Sequence, residues 1–258
     1  MTDIHLAAQE GSIPDISLAL SQGIDVNIGD DTGYTALHFA CKEGHIHVVE
    51  YLLEAGANMD GVHMESDSPL MVAALYGNTK IVELLIKHGA NVNYASEGFT
   101  ALHAASASGD LQSVKMLLDH RADPNRKDTN GVGRTPLHWC VQEGFVEIAD
   151  ILIKNGAKVN ATDENGFTPL TMAASEGHLP LVKLLLDNGA NVNHQSDSQY
   201  TTNPLHMACA YNKIEIVKLL LAYGADSNLL DLEGKRPIDC AIEYGYDNIV
   251  QFFAERGE

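Results

Sequence analysis

The sequence predicts an all-α solenoid of eight helix–turn–helix repeats, and three observations predict it. An aliphatic residue opens each repeat at Ile4, Leu37, Leu70, Leu102, Leu137, Leu170, Leu205 and Ile238, in steps of 33, 33, 32, 35, 33, 35 and 33 residues. Seven residues past each reference stands Gly11, Gly44, Gly77, Gly109, Gly144, Gly177, Asn212 or Gly245. Nineteen residues past it stands Gly23, Gly56, Gly89, Arg121, Gly156, Gly189, Gly224 or Gly257. A fixed period of this length marks units that bury their apolar faces only by stacking on neighbours, so residues 1–258 are expected to form one domain. All the length variation falls between the second glycine and the next reference, which marks that stretch as the surface connection.

Each element follows from local chemistry. Thr135-Pro136-Leu137-His138 and Thr168-Pro169-Leu170 open the first helix, because a Thr side chain caps free N–H groups and proline suits the first turn. The first glycine closes that helix in the left-handed conformation. The second helix carries apolar pairs four apart, as in Leu181-Val182 with Leu185-Leu186 and Ile216-Val217 with Leu220-Leu221, which make one buried face. The second glycine ends it, and Ala90–Asn93 or Ala190–Asn193 then leads into a polar, hairpin-like turn.

Thr135-Pro-Leu137-His138, Gly177-His178 and Gly189-Ala-Asn-Val-Asn193 resemble the ankyrin repeat, and the likeness recurs eight times across essentially the whole chain. The resemblance implies paired antiparallel helices joined by β-hairpin-like loops. It also implies a concave surface lined by hairpin tips and first helices, and a protein partner in place of a substrate. Fold alone does not fix activity, so the site must be argued from its residues. Three departures carry expectations. Arg121 replaces a closing glycine, costing about 1–2 kcal/mol if the left-handed conformation is kept, and its junction is read as one residue short and distorted. Asn212 is a milder replacement, and Arg236 in place of the Thr cap is expected to cost about 1 kcal/mol.

Sixteen Lys and Arg against thirty-five Asp and Glu give a net charge of −19, a field that repels nucleic acid and anionic membranes. No apolar run approaches the roughly 18 residues of a membrane span. Met1–His5 has no leader character, which points to a cytoplasmic or nuclear setting. Cys41, Cys140, Cys209 and Cys240 are far apart and form no C-x-x-C, which argues against disulfides and zinc.

The twelve histidines invite a metal or catalytic role. His38, His103, His138 and His206, however, recur directly after the reference, where the resemblance implies a structural hydrogen bond. His45 and His178 occupy a second framework position. His45 and His47 diverge on a helix, whereas His38 and Cys41 have ligand spacing, but Cys41 aligns with small packed residues such as Ala74 and Ala174. No hydrolase, zinc-protease, P-loop or dinucleotide pattern occurs; Gly131-Val-Gly133 is a widened hairpin. No cofactor, metal or catalytic residue is expected, and the protein is not read as an enzyme.

Recognition is expected instead at positions two, five and six past the reference, which share a helical face, and three before it, on the hairpin. These offsets place Phe39, Trp139, Glu43, Tyr76, Glu143, Glu176, Tyr211 and Tyr244 on first helices and Tyr34, Phe99 and Phe167 on hairpins, together with Asp67, Arg134, Thr202 and Lys235. Aromatic side chains anchor interfaces and carboxylates attract basic segments. Residues two past the reference can equally be half-buried spacers. The expected function is therefore an interaction module or scaffold, monomeric alone, that binds a basic or amphipathic protein segment in an acidic, aromatic-lined groove. The alternatives are an inhibitor capping an enzyme's active site and a reader of methyl-lysine, since aromatics beside carboxylates can cage a quaternary ammonium.

Overall fold

The computed structural model describes residues 3–60, 67–129, 132–196 and 203–257. Thr202, Gly131 and the first two residues, on which the sequence carried expectations, lie outside these. The chain divides into two compact units, Met1–Asn130 and Gly131–Glu258, each described by itself.

Unit 1 pairs α1 (Asp3–Glu10) with α2 (Ile13–Ser21), α3 (Ala36–Glu43) with α4 (Ile46–Glu54), α5 (Pro69–Leu75) with α6 (Thr79–Lys87), and α7 (Ala101–Ser108) with α8 (Leu111–Asp119). Unit 2 pairs α9 (Pro136–Gln142) with α10 (Val146–Lys154), α11 (Pro169–Glu176) with α12 (Leu179–Asp187), α13 (Pro204–Ala210) with α14 (Ile214–Ala222), and α15 (Pro237–Glu243) with α16 (Asp247–Arg256). Within each unit successive first helices pack on one another, as α5 does on α7 and α11 on α13. This is the all-α repeat architecture expected from the period. Every reference residue is buried, seven of them with no exposed surface and Ile238 at 9%. The second helices bury the face that their apolar pairs predicted: Leu181, Val182 and Leu185 are fully covered.

Short polar bonds tie repeat to repeat. Asn27 accepts from the Asn58 amide at 2.7 Å, and its Nδ2 donates to Gly56 O. Asn93, Asn160 and Asn193 make the same pair of bonds to the repeat that follows each. At the other side, His45 Nε2 reaches Gln9 O at 2.9 Å and His178 Nε2 reaches Gln142 O at 3.1 Å. Where Asn78 replaces that histidine, its amide donates to Cys41 O and Lys42 O.

Two expectations need correction. The one-residue shortening lies between Gly89 and Leu102, before the helix pair that Arg121 closes. There the connection forms a two-residue hairpin, β1 (Ala95–Ser96) antiparallel to β2 (Phe99–Thr100). Its tip residues, Glu97 (φ 46°) and Gly98 (φ 77°), are both left-handed, as the tightest hairpins require. A Cβ on Gly98 would stand 2.5 Å from Lys127 O, so the backbone there leaves room for glycine alone. The Arg121 junction itself is not distorted. Arg121 takes φ 66°, and its amide and that of Ala122 bond to Leu118 O and Leu117 O at 2.9 Å, as the glycine junctions do. Arg121 O is also held from the preceding repeat by Asn93 Nδ2 at 3.0 Å, which helps fix the left-handed turn.

The cost expected at Arg236 is offset locally. Asp239 Oδ2 accepts from the Arg236 amide at 2.8 Å, and the guanidinium returns bonds to both carboxylate oxygens, so an Arg/Asp pair replaces Thr/His at the helix start. Asn212 keeps the left-handed geometry at φ 56°.

Candidate functional site

The histidines that follow the reference are framework. Thr35 N donates to His38 Nδ1 at 3.0 Å, which leaves the proton on Nε2 to donate to Asp67 O at 2.7 Å. The rings of His103, His138 and His206 reach Arg126 O, Phe167 O and Lys235 O in the same way. Burial holds the His38 imidazole down at about 4, well below its ordinary value. Both ring nitrogens are thereby spoken for. Cys41 beside it is fully buried, and that burial pushes its thiol up, as it does those of Cys140 and Cys209. Among the described residues no cluster of three His, Cys, Asp or Glu could hold a metal ion. Nor is any helix among them long and apolar enough to cross a membrane.

The hairpin tips are aimed by aspartates that the sequence reading passed over. Asp163 Oδ1 accepts from the amides of Asn165 and Phe167 at 2.9 and 2.8 Å. Asp30 does the same for Thr32 and Tyr34, and Asp231 for Glu233 and Lys235. Each stands seven residues before its reference, and that recurrence was the available signal. These bonds fix the direction in which Tyr34, Phe167 and Lys235 leave the chain.

In unit 1 the expected recognition residues fall into two kinds. Tyr34 is half-buried: it stacks on His38 with ring centroids 4.9 Å apart and donates its hydroxyl to Asp67 at 2.9 Å. Burial first and Asp67 second raise its pKa. Phe39 packs between Tyr34 and His5, and Phe99 stacks on His103. These three brace the framework and show only part of their surface. Tyr76 and Glu43, by contrast, are exposed, and the Lys42 ammonium lies over the Tyr76 ring at 5.5 Å.

Unit 2 brings Phe167, Glu176 and Tyr211 together around a cavity of about 210 Å³. Its floor adds Met172 and Met207, both two past the reference. Met172 is 6% exposed and Met207 half-buried, whereas Glu176 and Tyr211, six past their references, are exposed and form the rim. Arg134, Gln142 and Ser175 complete the wall. Arg134 is held on several sides: Gln142 Oε1 accepts from it, its Nε lies 4.0 Å from the buried Asp163 carboxylate, and its guanidinium lies over the half-buried Trp139 ring at 5.4 Å. Gln142 Nε2 in turn donates to Glu143 at 3.1 Å. Glu176 and the Tyr211 hydroxyl, both on exposed residues, have no hydrogen-bond or ion-pair partner among the described residues. Tyr244 is also exposed and stacks on Tyr246, apart from the residues that line the cavity.

Helix pairs stacked through a buried face, with aromatic and acidic side chains left outward at fixed offsets, define a helical repeat protein. Family models described as ankyrin repeats in three copies match residues 1–63, 60–128 and 127–196, and one of ankyrin repeats in many copies matches 185–241. The chain belongs to the ankyrin-repeat family.

Its similarity to curated proteins is partial. It is 42% identical to human protein phosphatase 1 regulatory subunit 27 over 69 residues, which is 27% of this chain and 44% of that protein. An ADP-ribosylation factor GTPase-activating protein of Arabidopsis thaliana is 39% identical over 70 residues, 27% of this chain and 9% of the relative. A palmitoyltransferase of Lachancea kluyveri is 37% identical over 71 residues, 28% of this chain and 10% of the relative. The matched region thus spans less than half of each relative.

Proposed function

We propose that the chain binds a basic or amphipathic segment of a protein partner on the first-helix faces of its units. The observation that supports this most is the exposed series six past the reference, Glu43, Tyr76, Glu143, Glu176, Tyr211 and Tyr244, in a chain of net charge −19. Exposed carboxylates steer a basic segment into encounter, and aromatic area then slows its departure. The test is kinetic, on a partner recovered from the native host. Reversing Glu43, Glu143 and Glu176 to Lys should slow association and flatten its salt dependence. Trp139→Ala or Tyr76→Ala should speed dissociation, by about 2 kcal/mol for a true anchor. Lys154→Ala is the control, because that side chain is exposed on a second helix and pairs with Asp150 at 2.6 Å. Unchanged kinetics in all five folded groove variants would place recognition on another face.

A second possibility is regulation of a partner enzyme by covering its active site. What favours it is the similarity to a phosphatase regulatory subunit over 27% of the chain. Loss of a bound phosphatase's activity on addition of this chain would select it; binding with full activity retained would dismiss it.

A further inference from the structure

We propose that the cavity in unit 2 is a subsite for one lysine side chain of the partner, its aliphatic stem on Met172, Met207 and Phe167 and its ammonium at Glu176 and Tyr211. The proposal deepens the docking function above and rests on it. Three features of the cavity select the guest.

Its floor is two thioethers and a phenyl ring, surfaces that reward an unbranched apolar chain and adapt to its shape. Its rim offers an open carboxylate and an open phenolic oxygen, which call for a donor at the far end of that chain. Arg134, the one cation that lines it, is engaged by Gln142 and lies 4.0 Å from buried Asp163, and Glu176 is the one carboxylate in the lining.

An acidic guest would face that carboxylate within the field of the whole chain. An aromatic guest would leave Glu176 without a partner. Arginine also carries a cation and its fork could meet the Glu176 carboxylate with two N–H groups, but the planar stacking place over Trp139 is taken by Arg134, which leaves the compact ammonium as the guest assigned.

The methionine methyls report occupancy directly. In the full chain carrying ¹³C-methyl methionine, with signals assigned through Met172→Leu and Met207→Leu, n-pentylammonium stands in for the lysine side chain. It should shift the Met172 and Met207 methyls saturably, and more tightly than 1-pentanol or hexanoate. Glu176→Gln, an exposed change that leaves the fold intact, should weaken it by up to about fivefold, the range of an exposed ion pair. Equal binding of pentanol, preference for hexanoate, indifference to Glu176→Gln, or absence of any shift would each overturn the proposal. Tighter binding of n-butylguanidinium would overturn the choice of lysine. Because the probe needs no partner protein, a failed cavity leaves the docking surface to be judged by its own kinetics, and a failed docking surface leaves the ammonium titration interpretable.

Discussion

Thr35 and His38 cap each other: the Thr35 amide donates to the ring Nδ1 at 3.0 Å, the Thr35 hydroxyl meets the same nitrogen at 2.9 Å, and the ring's far side holds the next hairpin through Asp67 O. One neutral imidazole thus closes a helix start and joins two repeats.

That neutrality sets a pH dependence. The unfolded ring takes up its proton near 6.5, the folded one only at about 4, because burial opposes the charge more than the Asp67 carbonyl and the Asp67 and Asp30 carboxylates favour it, and His5 opposes it further. The stabilisation is therefore fully present above pH 6.5 and is lost as pH falls toward 4. The difference amounts to about 3 kcal/mol at most for this one site. His206 is shifted in the same direction, by burial. Urea midpoints measured at pH 7, 5.5 and 4.5 should fall steadily, and less steeply in His38→Ala; parallel slopes would remove the imidazole from the account.

His138→Ala should lower stability by about 1–3 kcal/mol, since Phe167 O and the Thr135 amide lose their partner inside the protein. Partner binding should survive at temperatures where the variant is folded. Lost binding with unaltered unfolding would make His138 a recognition residue.

Asn203 stands where Thr opens α3, α7, α9 and α11, and the exchange leaves its Nδ2 and His206 Nδ1 buried without a hydrogen bond. Asn203→Thr can restore the arrangement of Thr35 and His38. We expect a gain of about 1 kcal/mol, or roughly 2–4 °C in Tm. A calorimetric scan showing no gain would mean that the asparagine is already satisfied.

Gly98→Ala and Gly56→Ala both place a side chain at positive φ, 77° and 87°. Only the first also meets backbone, 2.5 Å away at Lys127 O, whereas the second opens onto free space. Gly56→Ala should cost about 1–2 kcal/mol of backbone strain and Gly98→Ala distinctly more. Equal denaturation midpoints would show that the hairpin yields to the added methyl.

The period was legible because stacking demands the same small or apolar residue at the same offset in each repeat, and the caps because Thr, Pro and Gly each answer one local need. The hairpin between Gly89 and Leu102 was misjudged because a one-residue difference in spacing says which connection is short only once the junctions are aligned. Arg121 misled for another reason: propensity weighs the residue alone, and the backbone bonds of its junction, one of them from Asn93 of the repeat before, hold its conformation. The cavity was half legible. Phe167, Glu176 and Tyr211 stood out by type, and the rest of the lining falls at the same offsets, Arg134 three before a reference, Met172 and Met207 two past and Gln142 and Ser175 five past; what spacing left open was which repeats bring them together. Tyr34, expected on the recognition surface, also braces a hairpin, because its hydroxyl finds Asp67, a partner 33 residues away.

The asparagines at Asn27, Asn93, Asn160 and Asn193 each hold the next repeat by an oxygen and a nitrogen of one amide, so the side chain acts as a gauge. Its length sets the pitch on the hairpin side, while the other side is tied by the rings of His45 and His178 and the amide of Asn78. Glutamine at one of these positions would keep both polar atoms and add one methylene. It would open a wedge on the hairpin side alone, tilting one repeat against the next without altering a contact in the core.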